Sequence, residues 1–493
     1  NRRRRHAAAA IGGAMELLTL LVRRCGGRRR AFGASASLAI ARSVRQRAKA
    51  GARVRRCVRA TVLGATVLGA TVLGAATLST DVIGATNDAI LAIRGRANTN
   101  ASIAAAGDFV AVVWGAATAS GTTDIYAAVS RDAGRTFAAP SRVNDVAGDA
   151  RVSGEQPPRV SLVPHPGGDP SVVVVWTTKG PGGTQLKTAR SDTGGRSFTR
   201  STIVPGGDAQ GNRGWESTAV DGEGHVAVLW LDHRETVSQS AAAAPMQHEG
   251  QHTHSDPSAQ PDLVAKAQLS KLYFSRLDGS TPPAAVAGGV CYCCKTALAA
   301  GPDGSLYAAW RHVYPGNIRD IAFTVSRDGG RTFAAPSRVS EDKWVLDGCP
   351  EDGPAIAVDR QNIVHVVWPT LIDGPAPGAE PTIALFYATT RDGRWFTPRY
   401  RLPTEGQPHH PQIVIAANGA AVVVWDELRS GVRRAALARG SVDAVGQPQF
   451  ARREAGEAAS ANHPVVAAAG AGIVLAWTSG PAETSQIRVR TLP

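Results

Sequence analysis

The octapeptide SRDAGRTF at residues 130–137 returns as SDTGGRSF at 191–198 and as SRDGGRTF at 326–333, and TRDGRWF at 390–396 is a shortened copy. We interpret all of them as S-x-D-x-G-x-[ST]-F. Serine and aspartate side chains bond the backbone of a tight turn, glycine takes a positive φ, and phenylalanine fills an apolar seam. The pattern therefore predicts one turn used repeatedly, with Asp132, Asp192 and Asp328 as turn formers.

A longer repeat surrounds these turns. Each unit holds a short strand of small and apolar residues, a glycine-containing turn, and an apolar strand that ends in tryptophan, as in SVVVVW at 171–176. A third strand follows most of them, and no stretch combines helical periodicity with helix start signals. The terminal tryptophans are Trp114, Trp176, Trp230, Trp310, Trp368, Trp425 and Trp477. Repeats with the spacing of these tryptophans, and with about four strands each, are typical of propeller blades.

The turn motif and the strand repeat together resemble the sialidase-like propellers with Asp-box (BNR) repeats. The resemblance covers residues 87–493 and implies an all-β propeller with Asp-box turns. We expect seven four-stranded blades, with six as the alternative. The last repeat is one strand short, and the stretch DAILAIRG at 88–95 is predicted to supply the missing outer strand. The motif CxCC…GCPxxGP also resembles a bacterial subgroup of these proteins.

The positive charge is concentrated at the start of the sequence. The formal net charge is +14, but residues 1–60 hold 17 Lys and Arg and one acid, Glu16, which leaves 14 − 16 = −2 for the remainder. A near-neutral body argues against a nucleic-acid partner. Residues 1–52 are predicted to be basic, low-complexity and disordered. Residues 53–86 have the layout of an export signal, through Sec or a twin-arginine route, which predicts a secreted or periplasmic, monomeric protein without a membrane anchor after cleavage.

In a propeller the segments that lead into the innermost strands open on one face, opposite the repeated turns. We call these seven segments the mouth loops. The resemblance implies a site for a glycan or another anionic small molecule on this face, although the [FY]-R-I-P motif of sialidases is absent. The residues assigned to acid/base roles are Glu216, Asp232 and Asp352. The residues assigned to the ligand are Arg234, Arg311, Arg319, Tyr314 and Arg429. The alternative for Asp232 and Arg234 is an ion pair that holds a loop.

Cysteines gather in two neighbouring mouth loops. CYCC at 291–294 contributes three thiols and Cys349 the fourth. An exported protein favours disulfides, and a bond from this cluster to Cys349 would join the fourth blade to the fifth. The alternative is a Cu or Zn site, because thiolates and imidazoles suit these ions. Its candidate ligands are Cys291, Cys293, Cys294, Cys349, His409, His410 and His463, with His248, His252 and His254 in a nearby insertion.

The sequence thus predicts an exported propeller that recognises, and in one version hydrolyses, a glycan or anionic ligand at the mouth of its channel. Two alternatives stay open. One is a metal-binding protein of the cell envelope that uses the cysteine and histidine cluster. The other is a non-catalytic scaffold that binds a protein through the same face.

Overall fold

The computed structural model describes residues 88–166, 168–240, 263–346, 348–374, 378–443, 447–455 and 460–493. All of them belong to a compact unit, Asp81–Pro493. The low-complexity segment 1–52, the export signal 53–86 and the insertion histidines His248, His252 and His254 lie outside the described residues.

The described residues form seven antiparallel sheets of four strands each, so the expected seven-bladed propeller is confirmed and the six-bladed alternative is wrong. Strands are given from the innermost outward. Blade 1 is β2 (Ala97–Ala106), β3 (Phe109–Ala117), β4 (Thr123–Ser130) and β5 (Ser141–Arg142); blade 2 is β6 (Arg159–Val163), β7 (Ser171–Gly180), β8 (Gly183–Ser191) and β9 (Thr202–Ile203); blade 3 is β10 (Arg213–Val220), β11 (Val226–Asp232), β12 (Lys271–Arg276) and β13 (Ala284–Gly288).

The remaining blades repeat the arrangement. Blade 4 is β14 (Ala297–Ala300), β15 (Leu306–Arg311), β16 (Ile321–Ser326) and β17 (Ser337–Arg338); blade 5 is β18 (Ala355–Val358), β19 (Val364–Ile372), β20 (Thr382–Thr390) and β21 (Tyr400–Arg401); blade 6 is β22 (Gln407–Ile415), β23 (Ala421–Arg429), β24 (Val432–Val442) and β25 (Pro448–Glu454); blade 7 is β26 (Ala461–Ala469), β27 (Gly472–Ser479), β28 (Gln486–Leu492) and β1 (Ala89–Leu91).

Helices are few in the described residues. α1 (Arg234–Ser240) and α2 (Leu263–Leu269) stand between β11 and β12, and a single 3₁₀ turn spans Ala482–Thr484. None of the helices within the described ranges is long and apolar enough to cross a membrane.

The ring is closed by the two ends of the propeller. The first strand, β1, pairs antiparallel with β28 through Ala89↔Val489 and Leu91↔Ile487. Asp88 adds a carboxylate that accepts hydrogen bonds from Arg490 at 2.6 and 2.9 Å. The stretch at 88–95 therefore supplies the outer strand that the last repeat lacks, as predicted.

The second strand of each blade forms the core. These strands are runs of apolar, largely β-branched residues, a composition that suits strands covered on both faces. The tryptophans that end the strand pattern are all buried, with at most 2% of the side chain exposed. Several of their indole N–H groups donate to a polar side chain two residues on, as Trp230 does to Asp232 and Trp425 to Glu427. These buried indoles thus keep a hydrogen bond inside the core, whereas that of Trp176 has no partner among the described residues.

The repeated turns have the predicted hydrogen bonds in two copies. Asp328 accepts from the backbone N–H and hydroxyl of Thr332, and Ser326 accepts from the N–H of Gly330. Gly330 has φ +89°, and a Cβ there would lie 2.1 Å from the ring of Phe274 in the preceding blade. The turn therefore requires glycine both for its backbone and for inter-blade packing.

The second copy differs from the prediction for Asp192. There Thr193 occupies the position of the turn aspartate, and its hydroxyl accepts from the N–H of Ser197 at 3.1 Å. Asp192 instead bonds Ser171 and Arg190 outside the turn. The assignment of Asp192 as the turn former was wrong, because SDTGGRSF carries its acid one residue earlier than the other copies.

Candidate functional site

Four of the mouth loops share the same backbone irregularity. In four blades the pairing of the innermost strand shifts register near its start, as a β-bulge does. At each shift a residue other than glycine takes a positive φ: Asn100, Trp215, His410 and His463, with φ between 50° and 57°. Bulges re-aim side chains, and the left-handed conformation costs about 1–2 kcal/mol per residue. The propeller therefore maintains a strained backbone where its loops converge.

Three of these residues lie in the wall of one small cavity. Its volume is about 10 Å³, close to the space that one water molecule needs. Blades 1, 2, 4, 6 and 7 all contribute, which places the cavity where the blades meet. Its lining residues are Asn100, Ala101, Gly154, Pro157, Arg159, Lys295, His410, Gln412, His463, Pro464 and Val465. The polar members are cations, imidazoles and amides; within the described part of the chain, no carboxylate lines this mouth cavity.

A buried ion pair lies beside the cavity and ties four blades together. Glu155 of blade 2 accepts from the backbone N–H of Lys295 at 2.7 Å and of Gly353 at 3.1 Å. The ammonium group of Lys295 lies 3.8 Å from the same carboxylate and donates to the carbonyl of Pro411 at 3.2 Å. Both side chains are at least 94% buried. Loops of blades 2, 4, 5 and 6 are thereby held by one pair of charges.

Two aspartates hold the histidines of blade 6. The Nδ1 atom of His409 lies 2.8 Å from Asp352, and that of His410 lies 3.1 Å from Asp426. Asp352 also accepts from the backbone N–H of His410. Burial tends to raise the pKa of Asp352, but the hydrogen bond from His409 and the nearby cations outweigh it, so this pKa is lowered.

The pKa values of His410 and His463 are shifted in opposite directions, although their ring centroids are only 4.2 Å apart. Burial acts to lower the pKa of His410, but the buried carboxylate of Asp426 outweighs it and raises this pKa. Burial, reinforced by the charge of His410, lowers the pKa of His463 to about 3. The cavity wall therefore places an imidazole whose pKa is strongly lowered beside one whose pKa is raised.

Arg159 and Glu216 form the third polar pair. Arg159 donates from Nε to the carbonyl oxygen of Glu216 at 2.6 Å, while its Nη2 is buried without a hydrogen-bond partner among the described residues. Glu216 is fully buried; Oε2 accepts from Thr177, and Oε1 has no partner in the described part of the chain. Burial raises the pKa of Glu216 to about 7. Arg159 thus keeps an unpaired donor, and Glu216 an unpaired acceptor, among the described residues.

Asp232 is placed in the ion-pair network that the sequence offered as its alternative. It is completely buried and accepts from Arg213 at 3.2 Å, from Arg234 at 2.7 and 2.8 Å, and from the indole of Trp230. Arg234 also lies 4.0 Å above the ring of Tyr273. These contacts fix the end of β11, and neither residue lines the mouth cavity.

The other residues assigned to an anionic ligand do not meet at one site. Arg311 is buried and donates to backbone carbonyls of Asp352, Arg319 and Pro369. These hydrogen bonds join blade 4 to blade 5. Arg319 donates to a cysteine sulfur, as described below. The remaining two assigned residues pair near the surface, Tyr314 under the guanidinium of Arg338 and Arg429 with Glu405 and Glu454.

The cysteines form one buried cluster. Cys293 and Cys349 are joined in a disulfide with Cα atoms 6.4 Å apart, which confirms the predicted link between blades 4 and 5. Cys291 and Cys294 are free thiols with sulfurs 3.7 Å apart. The hydrogen bond from Cys294 lowers the pKa of Cys291 to about 6 against the effect of burial, and Arg319 adds to the lowering.

The histidines assigned to a metal do not join this cluster. The three sulfurs of Cys291, Cys293 and Cys294 lie within ligand range of one another, and in the part of the chain that the structure describes no group of close ligand atoms combines a cysteine with a histidine. His409, His410 and His463 are instead engaged at the mouth cavity and its aspartates.

Sequence reasoning missed three residues of the mouth. Glu155, Arg159 and Lys295 stand in mouth loops, within EQPPRV and CYCCKT. Strand register places Lys295, His410 and His463 at equivalent positions. Each lies two residues before the residue that pairs with the one preceding the blade's tryptophan. That alignment of blades was the available signal for Lys295.

Comparison with known proteins adds likeness of architecture. No family model matches the sequence, and no curated protein is significantly similar to it. A protein of unknown function from Dyadobacter fermentans is 12% identical, with a TM-score of 0.45, over 82% of this chain and 98% of its own. The GH93 α-L-arabinofuranosidase of Fusarium graminearum is 11% identical, with a TM-score of 0.45, over 82% and 96%. The Hadza microbial sialidase Hz136 is 13% identical, with a TM-score of 0.41, over 75% and 73%. Likeness at this level assigns neither substrate nor activity.

Proposed function

We propose that this protein binds an acidic carbohydrate at the mouth of the propeller, with one oxygen of the sugar's carboxylate in the mouth cavity. The observation that carries the proposal is the composition of the cavity wall. Arg159 and Lys295 bring cationic groups to it, His410 brings an imidazole whose pKa is raised, Asn100 and Gln412 bring amides, and the carboxylates of this region stand outside the lining.

The unpaired nitrogen of Arg159 supports an anionic partner. A buried donor without an acceptor costs about 1–3 kcal/mol, which a ligand oxygen would recover on binding. The cavity holds only one oxygen-sized group, so the sugar ring would lie over the mouth and the acid group would reach inward. Arginine suits this task because its planar N–H groups match a carboxylate.

Isothermal titration with sialic, glucuronic and galacturonic acids, beside neutral glucose and galactose, tests the proposal. We expect an acidic sugar to bind and the neutral sugars not to. In Arg159→Gln the affinity should fall about 10- to 150-fold, the equivalent of one charge-assisted hydrogen bond of ~1.5–3 kcal/mol.

Arg131→Gln is the matched control, because Arg131 pairs with Asp169 at a repeated turn on the opposite face and is 43% exposed. It should bind as the wild type does. Equal affinity for neutral and acidic sugars, or an Arg159→Gln protein that melts normally and binds normally, would contradict the proposal.

Glu216 offers an extension from binding to catalysis. Of the three carboxylates assigned to acid/base chemistry, it alone combines an unpaired oxygen with a pKa near neutrality, the range that suits proton transfer. Turnover of a fluorogenic sialoside that disappears in Glu216→Gln would support hydrolysis. Absence of turnover in the wild type would restrict the function to recognition.

A further inference from the structure

The sulfur cluster between blades 4 and 5 has the spacing of a metal site. The sulfur of Cys291 lies 3.7 Å from those of Cys293 and Cys294, and the last two are 4.0 Å apart. Four thiolates around Zn²⁺ at about 2.3 Å form a tetrahedron with edges of roughly 3.8 Å. Three cysteine sulfurs therefore already stand near the corners of one face of such a tetrahedron.

Cys349 packs against this cluster and is bonded to one of its members, which makes it the candidate for the fourth ligand. Its Cα lies 6.4 Å from that of Cys293, at the wide end of the range for disulfides, about 4.4–6.8 Å. Reduction of this bond would release two sulfurs in the cluster that holds the two free thiols. Ala267, Val313 and Trp215 pack around the cysteines.

Arg319 is an independent sign that this pocket holds negative charge. Its side chain is completely buried, Nη1 donates to the sulfur of Cys291 at 3.2 Å, and Nη2 has no hydrogen-bond partner among the described residues. A buried, incompletely paired guanidinium is costly unless an anion compensates it. A tetrathiolate zinc centre carries a formal charge of −2, so a neighbouring arginine would stabilise it.

We infer that Cys291, Cys293, Cys294 and Cys349 form a tetrathiolate Zn²⁺ site in the reduced protein, and that the Cys293–Cys349 disulfide replaces it on oxidation. Four protein ligands leave no open position, which is the arrangement of structural rather than catalytic zinc. In either state the same two blades are joined. The site thus joins the two blades in two interchangeable forms.

The exchange between the disulfide form and the zinc form is balanced in atoms and electrons. A phosphine reductant transfers two electrons to the disulfide and becomes its phosphine oxide with oxygen from water, and the two sulfurs leave as thiols. Zn²⁺ then binds the four sulfurs and displaces the thiol protons to solvent. In the reverse direction a low-molecular-weight disulfide takes up two electrons and two protons and becomes two thiols, Cys293 and Cys349 form their disulfide, Zn²⁺ leaves for solvent, and Cys291 and Cys294 take up protons.

Cobalt titration of the full chain tests the inference. Protein reduced with the phosphine and desalted without oxygen should bind one Co²⁺ per chain, with thiolate-to-cobalt charge-transfer bands and the intense visible bands of tetrahedral Co²⁺. Added Zn²⁺ should abolish these bands. The oxidised protein should show neither, because only two thiolates remain in the cluster. Absence of the bands in the reduced protein, or equal binding by the oxidised protein, would overturn the inference.

Variants identify the ligands. Cys294→Ser should lose the tetrahedral spectrum while its Cys293–Cys349 disulfide still forms, which peptide mapping verifies. The double variant Cys25→Ser, Cys57→Ser removes the two cysteines outside the cluster and should bind cobalt as the wild type does. A cobalt spectrum that depends on Cys25 or Cys57 would overturn the assignment.

Thiol counting on the unmodified chain covers the case in which a cysteine variant fails to fold. The chain has six cysteines. With the reduced native protein, Zn²⁺ should lower the number that react with a thiol reagent to two, since 6 − 4 = 2. A count that Zn²⁺ leaves unchanged would contradict a tetrathiolate site.

Discussion

Replacement of Glu216 by glutamine should change how stability depends on pH. The carboxyl group of Glu216 has a pKa of about 7 in the folded protein against an ordinary value of 4.5, and burial is the cause of the difference. Between these values the folded protein holds a proton that the unfolded chain has released. Stability therefore falls as pH rises from 4.5 to 7, and it is constant on either side of this window.

The size of this pH effect on stability follows from the difference between the folded and the ordinary pKa of Glu216. About 2.5 pKa units at ~1.36 kcal/mol each amount to roughly 3 kcal/mol of stability that the wild type loses between pH 4.5 and pH 8. Glutamine keeps the shape of the protonated acid and does not titrate. The free energy of unfolding of Glu216→Gln relative to wild type should thus improve by about 3 kcal/mol over this range.

Urea denaturation at pH 4.5, 6, 7 and 8, followed by tryptophan fluorescence, measures this difference. Glu351→Gln, which removes an exposed carboxylate from the mouth loop of blade 5, controls for the loss of one negative charge. A difference between Glu216→Gln and wild type that stays within ~1 kcal/mol from pH 4.5 to 8 would refute the claim that a buried, titrating carboxyl group lies at the mouth.

Three further substitutions test other parts of the structure. Gly154→Ala should weaken acidic-sugar binding in titration calorimetry with little loss of stability, because a Cβ there would lie 2.1 Å from Nε2 of His463 and must displace the ring; unchanged binding would contradict the packing. Asp88→Asn should lower the free energy of unfolding by about 1–3 kcal/mol in urea titrations, since it weakens the charged contact that closes the ring, and a neutral effect would count against that closure. Asp328→Ala should cost about 1 kcal/mol of stability by the same measurement, whereas Asp192→Ala at the surface should cost ~0.5 kcal/mol or less; equal costs would show that both acids have the same role.

The sequence repeat predicted the architecture because every blade buries the same kind of apolar strand. An apolar strand that ends in a buried tryptophan recurs in all seven sheets, so the number of blades could be counted from the sequence. The closing strand was predictable for a similar reason. A four-stranded blade with three strands at its end must find the fourth elsewhere, and residues 88–95 were the one unassigned apolar stretch before the first repeat.

The site was only partly predictable, because the roles of arginines depend on carbonyl groups that sequence does not place. Arg311 and Arg319 stand in a mouth-face loop, yet the first bonds backbone carbonyls of the neighbouring blade and the second bonds Cys291. Likewise, the contact of Glu155 with Lys295 joins blades 2 and 4 across 140 positions of sequence. Contacts of this kind arise from the relative rotation of blades, which no local pattern encodes.

The pairing of β1 with β28 constrains how the protein can come into being. Ile90 and Arg488 are register partners, so almost the whole domain must be synthesised before the first strand meets its neighbour. A nascent chain that stops short of blade 7 leaves two unpaired sheet edges that invite association with other chains. The same geometry suggests where the polypeptide could be cut and rejoined. With the old ends linked beside each other, new ends in an inter-blade connection should give a permuted ring held together by the same contacts.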